Sequence, residues 1–157
     1  MGGPVSEAMA RRRIKILKEM LRALQGPLAL ARGLQLRMNR LGAKPAVRDC
    51  IDSLIKELSF AVRDILREIN SLGSRRPRSV QWVRVSRSIQ ARWAGATAWA
   101  SLLRDACRGC ARRLCKLVGE AQMIADTSSA RIAFGTLRAL EKLLCLLQYH
   151  AGAPDTA

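Results

Sequence analysis

The sequence predicts an all-α protein that folds as an up-down-up-down four-helix bundle with a kinked first helix. Apolar residues make up 49% of the chain and aromatic residues only 4%. This mixture, rich in leucine, alanine and isoleucine, favours helices over strands. Apolar residues also recur at three- and four-residue intervals over long segments. Short links containing glycine or proline separate these segments, and short links force consecutive helices to run antiparallel.

A chain of 157 residues suits one domain with one core. We expect an N-terminal tail at 1–13, the bundle at 14–150 and a disordered tail at 151–157. Residues 1–13 contain no apolar stretch that resembles a signal peptide, and no apolar run approaches the ~18 residues that a membrane span needs. The sequence therefore predicts no membrane association.

The first two helices are predicted from apolar stripes that keep helical spacing. Gly26 and Pro27 interrupt the first stripe and predict a kink or a short break at Gln25, because proline removes a backbone donor and clashes with the preceding turn. The second helix begins at Pro45, which suits a first turn, and continues to Gly73. The first stripe consists of Ile14, Leu17, Leu21, Leu24, Leu28, Ala31 and Met38. The second consists of Val47, Cys50, Ile51, Leu54, Ile55, Leu58, Val62, Ile65, Leu66, Ile69 and Leu72.

The third and fourth helices follow an arginine-rich turn at 73–79. The third is expected to start between Trp82 and Ser86, and a basic link bracketed by Gly109 and Gly119 is expected to separate it from the fourth. The third stripe consists of Ile89, Trp93, Ala96, Ala100, Leu103 and Cys107. The fourth consists of Ala121, Ile124, Ser128, Ile132, Gly135, Ala139, Leu143 and Leu146.

Charge is distributed unevenly along a chain whose net charge is +16. Residues 1–44 contain ten Lys/Arg and two acidic residues (+8), and residues 73–119 contain eleven and one (+10). Residues 45–72 contain four and five (−1), and residues 120–157 contain three and four (−1). The two basic segments predict attraction to polyanions such as nucleic acid, anionic lipid, acidic polysaccharide or an acidic protein cleft.

The five cysteines favour a disulfide over a metal site. Antiparallel packing of the second and third helices would place Cys50 and Cys107 at the same end of the bundle, with Cys110 as a rival partner. Closing that loop would stabilise the fold by about 4 kcal/mol. A zinc site at Cys107, Cys110 and Cys115 lacks a second cysteine pair and a nearby histidine. Cys115 and Cys145 are interpreted as small buried apolar residues.

Residues typical of catalysis are missing from the sequence pattern. His150 is the single histidine and follows the last apolar stripe. The polar cluster 126–129 has no accompanying base, and we interpret it as a break or small-residue contact within the last helix. No glycine-rich phosphate loop, HExxH or GxSxG pattern occurs. The sequence therefore predicts a protein that is not an enzyme and needs no cofactor.

One segment resembles the plant invertase and pectin methylesterase inhibitor family. Residues 45–50 (PAVRDC), which open the second helix, are similar to the family's Ala-Leu-x-Asp-Cys signature. The similarity continues through Val80, Gln81 and Trp82, Val85 and Ser86, Ile89 and Gln90, Trp93, Ala94 and Ala96. Asp105-Ala106-Cys107 resembles the family's Asp-Thr-Cys. No cysteine precedes Cys50, so the disulfide-closed hairpin that opens family members is missing.

The resemblance implies a secreted plant protein of the apoplast or cell wall, with a disulfide between Cys50 and Cys107. It also implies a protein partner, pectin methylesterase or acid invertase, whose active-site cleft the bundle would cover. We expect exposed residues of the second and third helices to contact this partner, in particular Arg84, Arg87, Arg92 and Trp93.

The alternative function is a basic helical module that binds polyanions without inhibiting an enzyme. De-esterified pectin, an acidic polysaccharide, is one candidate ligand and nucleic acid is another. The residues argue against nucleic acid, because the arginines are spread along the chain without an aromatic platform or a helix-turn-helix.

Overall fold

The computed structural model describes residues 4–41, 45–73 and 96–152, and the side chains of 7–37, 45–73 and 101–146. The described part forms α1 (Pro4–Leu41), α2 (Pro45–Ser71), α3 (Ala96–Met123) and α4 (Thr127–Gly152). The predicted all-α four-helix bundle is confirmed. Helix α1 begins at Pro4, so it includes residues of the segment 1–13 that the sequence analysis assigned to an N-terminal tail.

Helix α1 runs through Pro27 without a break at Gln25. Pro27 is buried, and the core residues Leu24 and Leu28 on either side of it are in phase with Leu17. Burial of this continuous stripe offsets the hydrogen bond that proline removes. The predicted first stripe is therefore largely correct, although Ile14 is only half-buried.

Helix α2 has the residues and the limits that the sequence predicts. Its buried face includes Val47, Cys50, Ile51, Leu54, Leu58, Val62, Ile65 and Ile69, all of them in the predicted stripe. Gly73 follows the helix with a φ of 81° and donates its N–H to the carbonyl of Asn70 at 3.1 Å. This left-handed conformation is accessible to glycine at little cost, so Gly73 ends the helix as expected.

Helix α3 continues through the segment that was predicted to be a link. Cys110, Leu114, Leu117 and Ala121 extend its buried stripe beyond Cys107. Each glycine inside a helix costs about 1 kcal/mol relative to alanine. The apolar contacts made on both sides of Gly109 and Gly119 outweigh that cost. The predicted boundary between the third and fourth helices was therefore wrong.

The real boundary is the turn at Ile124–Asp126. The N–H of Asp126 donates to the carbonyl of Ala121 at 2.8 Å, and the N–H of Ala125 donates to the carbonyl of Gln122 at 3.1 Å. With Ala125 at a φ of 55°, this is a Schellman turn with a non-glycine residue in the left-handed position. Asp126 then caps α4, because its Oδ1 accepts the N–H of Ser129 at 3.1 Å.

The buried face of α4 also differs from the predicted one. Ala133, Leu137, Leu140 and Leu143 fill the core, together with the buried polar residues Ser129 and Thr136. Of the predicted stripe, Leu143 belongs to this face. Gly135, Ala139 and Leu146 lie beside α2 instead.

Three contacts fix the directions of the helices. Gln35 near the end of α1 donates to Asp52 near the start of α2 at 2.9 Å. At the opposite end, Arg13 of α1 lies 3.8 Å from Glu68 near the end of α2 and 3.2 Å from Asp126 at the start of α4. The start of α1, the end of α2 and the α3–α4 turn therefore share one end of the bundle.

Helices α2 and α3 consequently run parallel and lie on a diagonal. Helix α1 packs against α2 and α3, and α4 packs against the same two helices, while α2 and α3 make no close backbone approach. The order of directions is up-down-down-up, whereas the sequence predicted up-down-up-down. The short-link argument holds for α1–α2 and α3–α4. It fails between α2 and α3, because the chain leaves α2 at one end of the bundle and enters α3 at the other.

Candidate functional site

The predicted disulfide between Cys50 and Cys107 is not formed, and all five cysteines are free. Cys50 belongs to α2 and Cys107 to α3, the two helices on the diagonal. A disulfide requires Cα atoms about 4.4–6.8 Å apart, which this arrangement does not provide. The prediction was wrong because it assumed that α2 and α3 are antiparallel neighbours.

The buried thiols behave as apolar core groups. Burial raises the pKa of Cys107 to about 12. It also raises the pKa of Cys110 to about 12, with a further increase from Cys107 and an opposing effect of Arg113. Burial, and then the charge of Asp49, raise the pKa of Cys50. Since the thiolate is the nucleophile and metal ligand, these shifts disfavour reactivity. Cys115 and Cys145 are exposed, contrary to prediction.

The predicted partner-binding residues Arg84, Arg87, Arg92 and Trp93 lie outside the described residues. Their assignment to an inhibitory surface stays a prediction.

The bundle brings its two most basic described helices together. Helix α1 contains nine Lys/Arg and two acidic residues (+7), and α3 contains five and two (+3). Helix α2 contains four and five (−1), and α4 contains three and one (+2). Because α1 is adjacent to α3, and α2 to α4, the described helices give one side of the bundle a charge of +10 and the opposite side +1. We call these the basic side and the balanced side.

Two adjoining concavities lie on the basic side. One, of about 500 Å³, follows the outer face of α1 and is lined by Arg11, Ile14, Lys15, Lys18, Glu19 and Arg22. The other, of about 400 Å³, lies between α1 and α3 and is lined by Glu19, Arg22, Arg113, Lys116 and Leu117. They share Glu19 and Arg22, so they form one continuous surface, which we call the basic groove.

Six exposed cations and one carboxylate define the electrostatics of the basic groove. Arg11, Lys15, Lys18 and Arg22 follow one stripe of α1 over about 16 Å, at 1.5 Å per residue. Arg113 and Lys116 face them from α3. None of the six forms an ion pair with another described residue. Their charge is therefore available to a ligand, and Glu19 is the single opposing charge in the lining.

Sequence analysis located the basic segments without identifying this groove. The i, i+4, i+7, i+11 spacing of the α1 cations was visible in the sequence and marks one helix face. Their proximity to Arg113 and Lys116 was not visible, because it depends on the adjacency of α1 and α3.

The structure offers little else that resembles a site of chemistry. Within the described ranges, no three His, Cys, Asp or Glu residues are placed to hold a metal ion. None of the described helices is long and apolar enough to cross a membrane. No protein-family model, curated protein or solved structure matches the chain.

Proposed function

We propose that this protein binds a linear polyanion in the basic groove between α1 and α3. The observation that supports the proposal is the convergence on one side of the bundle of six exposed cations that form no ion pair with a described residue. Charges that neighbouring acids do not neutralise raise the local concentration of an oppositely charged polymer and accelerate its association. The balanced side offers no comparable attraction, so the polymer would bind along one side of the molecule.

An acidic polysaccharide fits the groove better than single-stranded nucleic acid does. Guanidinium groups pair with carboxylates through two parallel hydrogen bonds, and three of the six cations are arginines. Sequence-tolerant binding of single strands relies on aromatic side chains that stack on bases. Among the described residues, those that line the basic groove include no aromatic side chain. De-esterified pectin, a polymer of carboxylates, is therefore the ligand to test first.

The experiment measures the salt dependence of binding to labelled polygalacturonate. Six neutralised charges predict a slope of about −4 for log K against log salt, at roughly 0.7 per charge as for single-stranded polyanions. The triple variant Lys15→Gln, Lys18→Gln, Arg22→Gln should bind at least about tenfold more weakly, with a slope smaller by about 2. Glu19→Gln should bind more tightly, because it removes the one acidic side chain among the described residues of the lining.

A matched control removes three cations from another side of the bundle. Lys56, Arg63 and Arg67 are exposed on α2, and changing all three to Gln gives the same net charge as the test variant. The proposal requires this control to keep most of the affinity. Equal weakening by both variants, or binding without salt dependence, would reject the groove as the site. Unlabelled single-stranded DNA, added to the complex with labelled polygalacturonate, tests whether nucleic acid competes for the groove.

The inhibitor function implied by the family resemblance stays a separate prediction. Its support is the similarity of residues 45–107 to the inhibitor family. The disulfide that the resemblance implies does not add to this support, because Cys50 and Cys107 are free. A basic side would also be attracted to a cleft rich in carboxylates. Titration of the full chain against pectin methylesterase and acid invertase tests it, and the absence of both inhibition and complex formation would reject it.

A further inference from the structure

The balanced side of the bundle contains a second groove, along the seam of α2 and α4. A concavity of about 670 Å³ lies between the first half of α2 and the second half of α4. This concavity continues into a second one of about 280 Å³, and Glu57 and Gly135 line both concavities. Ala46, Gly135 and Ala139 lack the volume to fill the seam, so it stays open to solvent. We call it the α2–α4 groove.

The two walls of the α2–α4 groove carry opposite charges. The acids of its lining all come from α2, and the bases all come from α4: Asp49, Glu57 and Asp64 against Arg131, Arg138 and Lys142. All six side chains are exposed, and none pairs with another described residue. The acidic wall spans about 23 Å of helix axis at 1.5 Å per residue. Such a groove is complementary to a surface that has the same two walls in reversed order.

A second copy of the chain provides that surface. Since α2 and α4 are antiparallel, with Glu57 level with Gly135 and Ala46 level with Leu146, a two-fold axis that runs along the groove, parallel to both helices, places each acidic wall opposite the basic wall of the other copy. In this arrangement Asp49 comes level with Lys142 of the other copy. The other two pairs, Glu57 with Arg138 and Asp64 with Arg131, lie within about one helical turn. An isologous interface requires this kind of self-complementarity.

The distribution of charge also selects the side through which two copies can meet. Counted over the described helices, two basic sides at +10 each repel one another, whereas two balanced sides at +1 each do not. Phe60 and Leu146 of the α2–α4 groove are 44% and 40% exposed and would lose apolar contact with water in a dimer. We infer that the protein is a two-fold symmetric homodimer that associates through the α2–α4 groove. Both basic grooves then face outward, which would let one dimer bind a polyanion at two places.

A charge-exchange experiment tests this dimer by mass, without any ligand. One variant, Arg138→Glu with Lys142→Glu, makes both walls acidic. The other, Asp49→Lys with Glu57→Lys, makes both walls basic. Sedimentation equilibrium over micromolar to submillimolar concentrations should give twice the 17.3 kDa chain mass for the wild type and the monomer mass for each variant alone. An equimolar mixture of the two variants should form a heterodimer, identified by native mass spectrometry, because both acid-base wall pairs are then restored.

The control variant Arg108→Glu with Arg112→Glu changes the net charge as much as the α4 variant does, on exposed residues of α3. It should dimerise like the wild type, and circular dichroism should show that all variants keep their helices. A wild type that is monomeric at every concentration would overturn the inference. So would dimers that persist in both single-wall variants, or a mixture that yields no heterodimer. Failure of polyanion binding leaves these masses unchanged, so the two proposals can be separated.

Discussion

Replacement of Asp126 tests how the helical turn between α3 and α4 is joined to the rest of the bundle. Its side chain is 0% exposed, caps α4 through Ser129 and lies 3.2 Å from Nε of Arg13. Loss of an N-cap costs about 1 kcal/mol. Loss of one partner of a fully buried ion pair costs about 3–5 kcal/mol, but Arg13 is 28% exposed and its Nε donates no hydrogen bond to Asp126. We therefore expect about 1–2 kcal/mol from the pair.

Asp126→Ala should thus lower the free energy of unfolding by about 2–3 kcal/mol, measured by guanidinium denaturation. Asp126→Asn keeps a capping oxygen and should lose about 1 kcal/mol less than the alanine variant. Glu68→Gln is the control, because Glu68 is partly exposed and 3.8 Å from Arg13, and it should cost no more than about 0.5 kcal/mol. A loss below about 1 kcal/mol for Asp126→Ala, or equal losses for Asp126→Ala and Asp126→Asn, would refute this account of the turn.

Three further predictions concern the cysteines and the turn. Thiol titration without reductant should find five thiols in the denatured chain and only Cys115 and Cys145 reacting quickly in the native one; a disulfide would lower the denatured count to three or fewer. Raised pKa values mean that Cys107 and Cys110 stabilise the fold below pH 9 and that this contribution is lost between pH 9 and about 12. Between pH 8 and 10 the free energy of unfolding of the wild type should therefore fall by about 1 kcal/mol per thiol more than that of the variant Cys107→Ala with Cys110→Ala. Equal decreases for the two proteins would contradict the burial of these thiols. Ala125→Gly should raise the free energy of unfolding by about 1 kcal/mol, because Ala125 has a left-handed φ of 55°, and a decrease would exclude the Schellman turn.

The apolar periodicity was sufficient to predict α1 and α2. The predicted stripe residues between Leu17 and Ala31 in α1, and most of those between Val47 and Ile69 in α2, lie in the core as their spacing indicated. The same argument failed at the start of α4. Asp126 begins a new helix by capping it, whereas the prediction placed it inside a longer one. Periodicity reports which residues share a face, and it does not distinguish one continuous stripe from two that meet at a capped turn.

Local composition also specified the basic segments, because net charge depends only on residue identity. The neighbours of each helix were a property of the assembled bundle. Once α3 packs beside α1 and lies diagonal to α2, Cys50 and Cys107 are separated, the cations of α1 meet Arg113 and Lys116, and α2 and α4 enclose a groove with opposite walls. Charge and spacing along the chain do not contain this information, since the same four amphipathic helices can bury their stripes in more than one order of neighbours. The choice among those orders comes from the summed packing of all four buried faces.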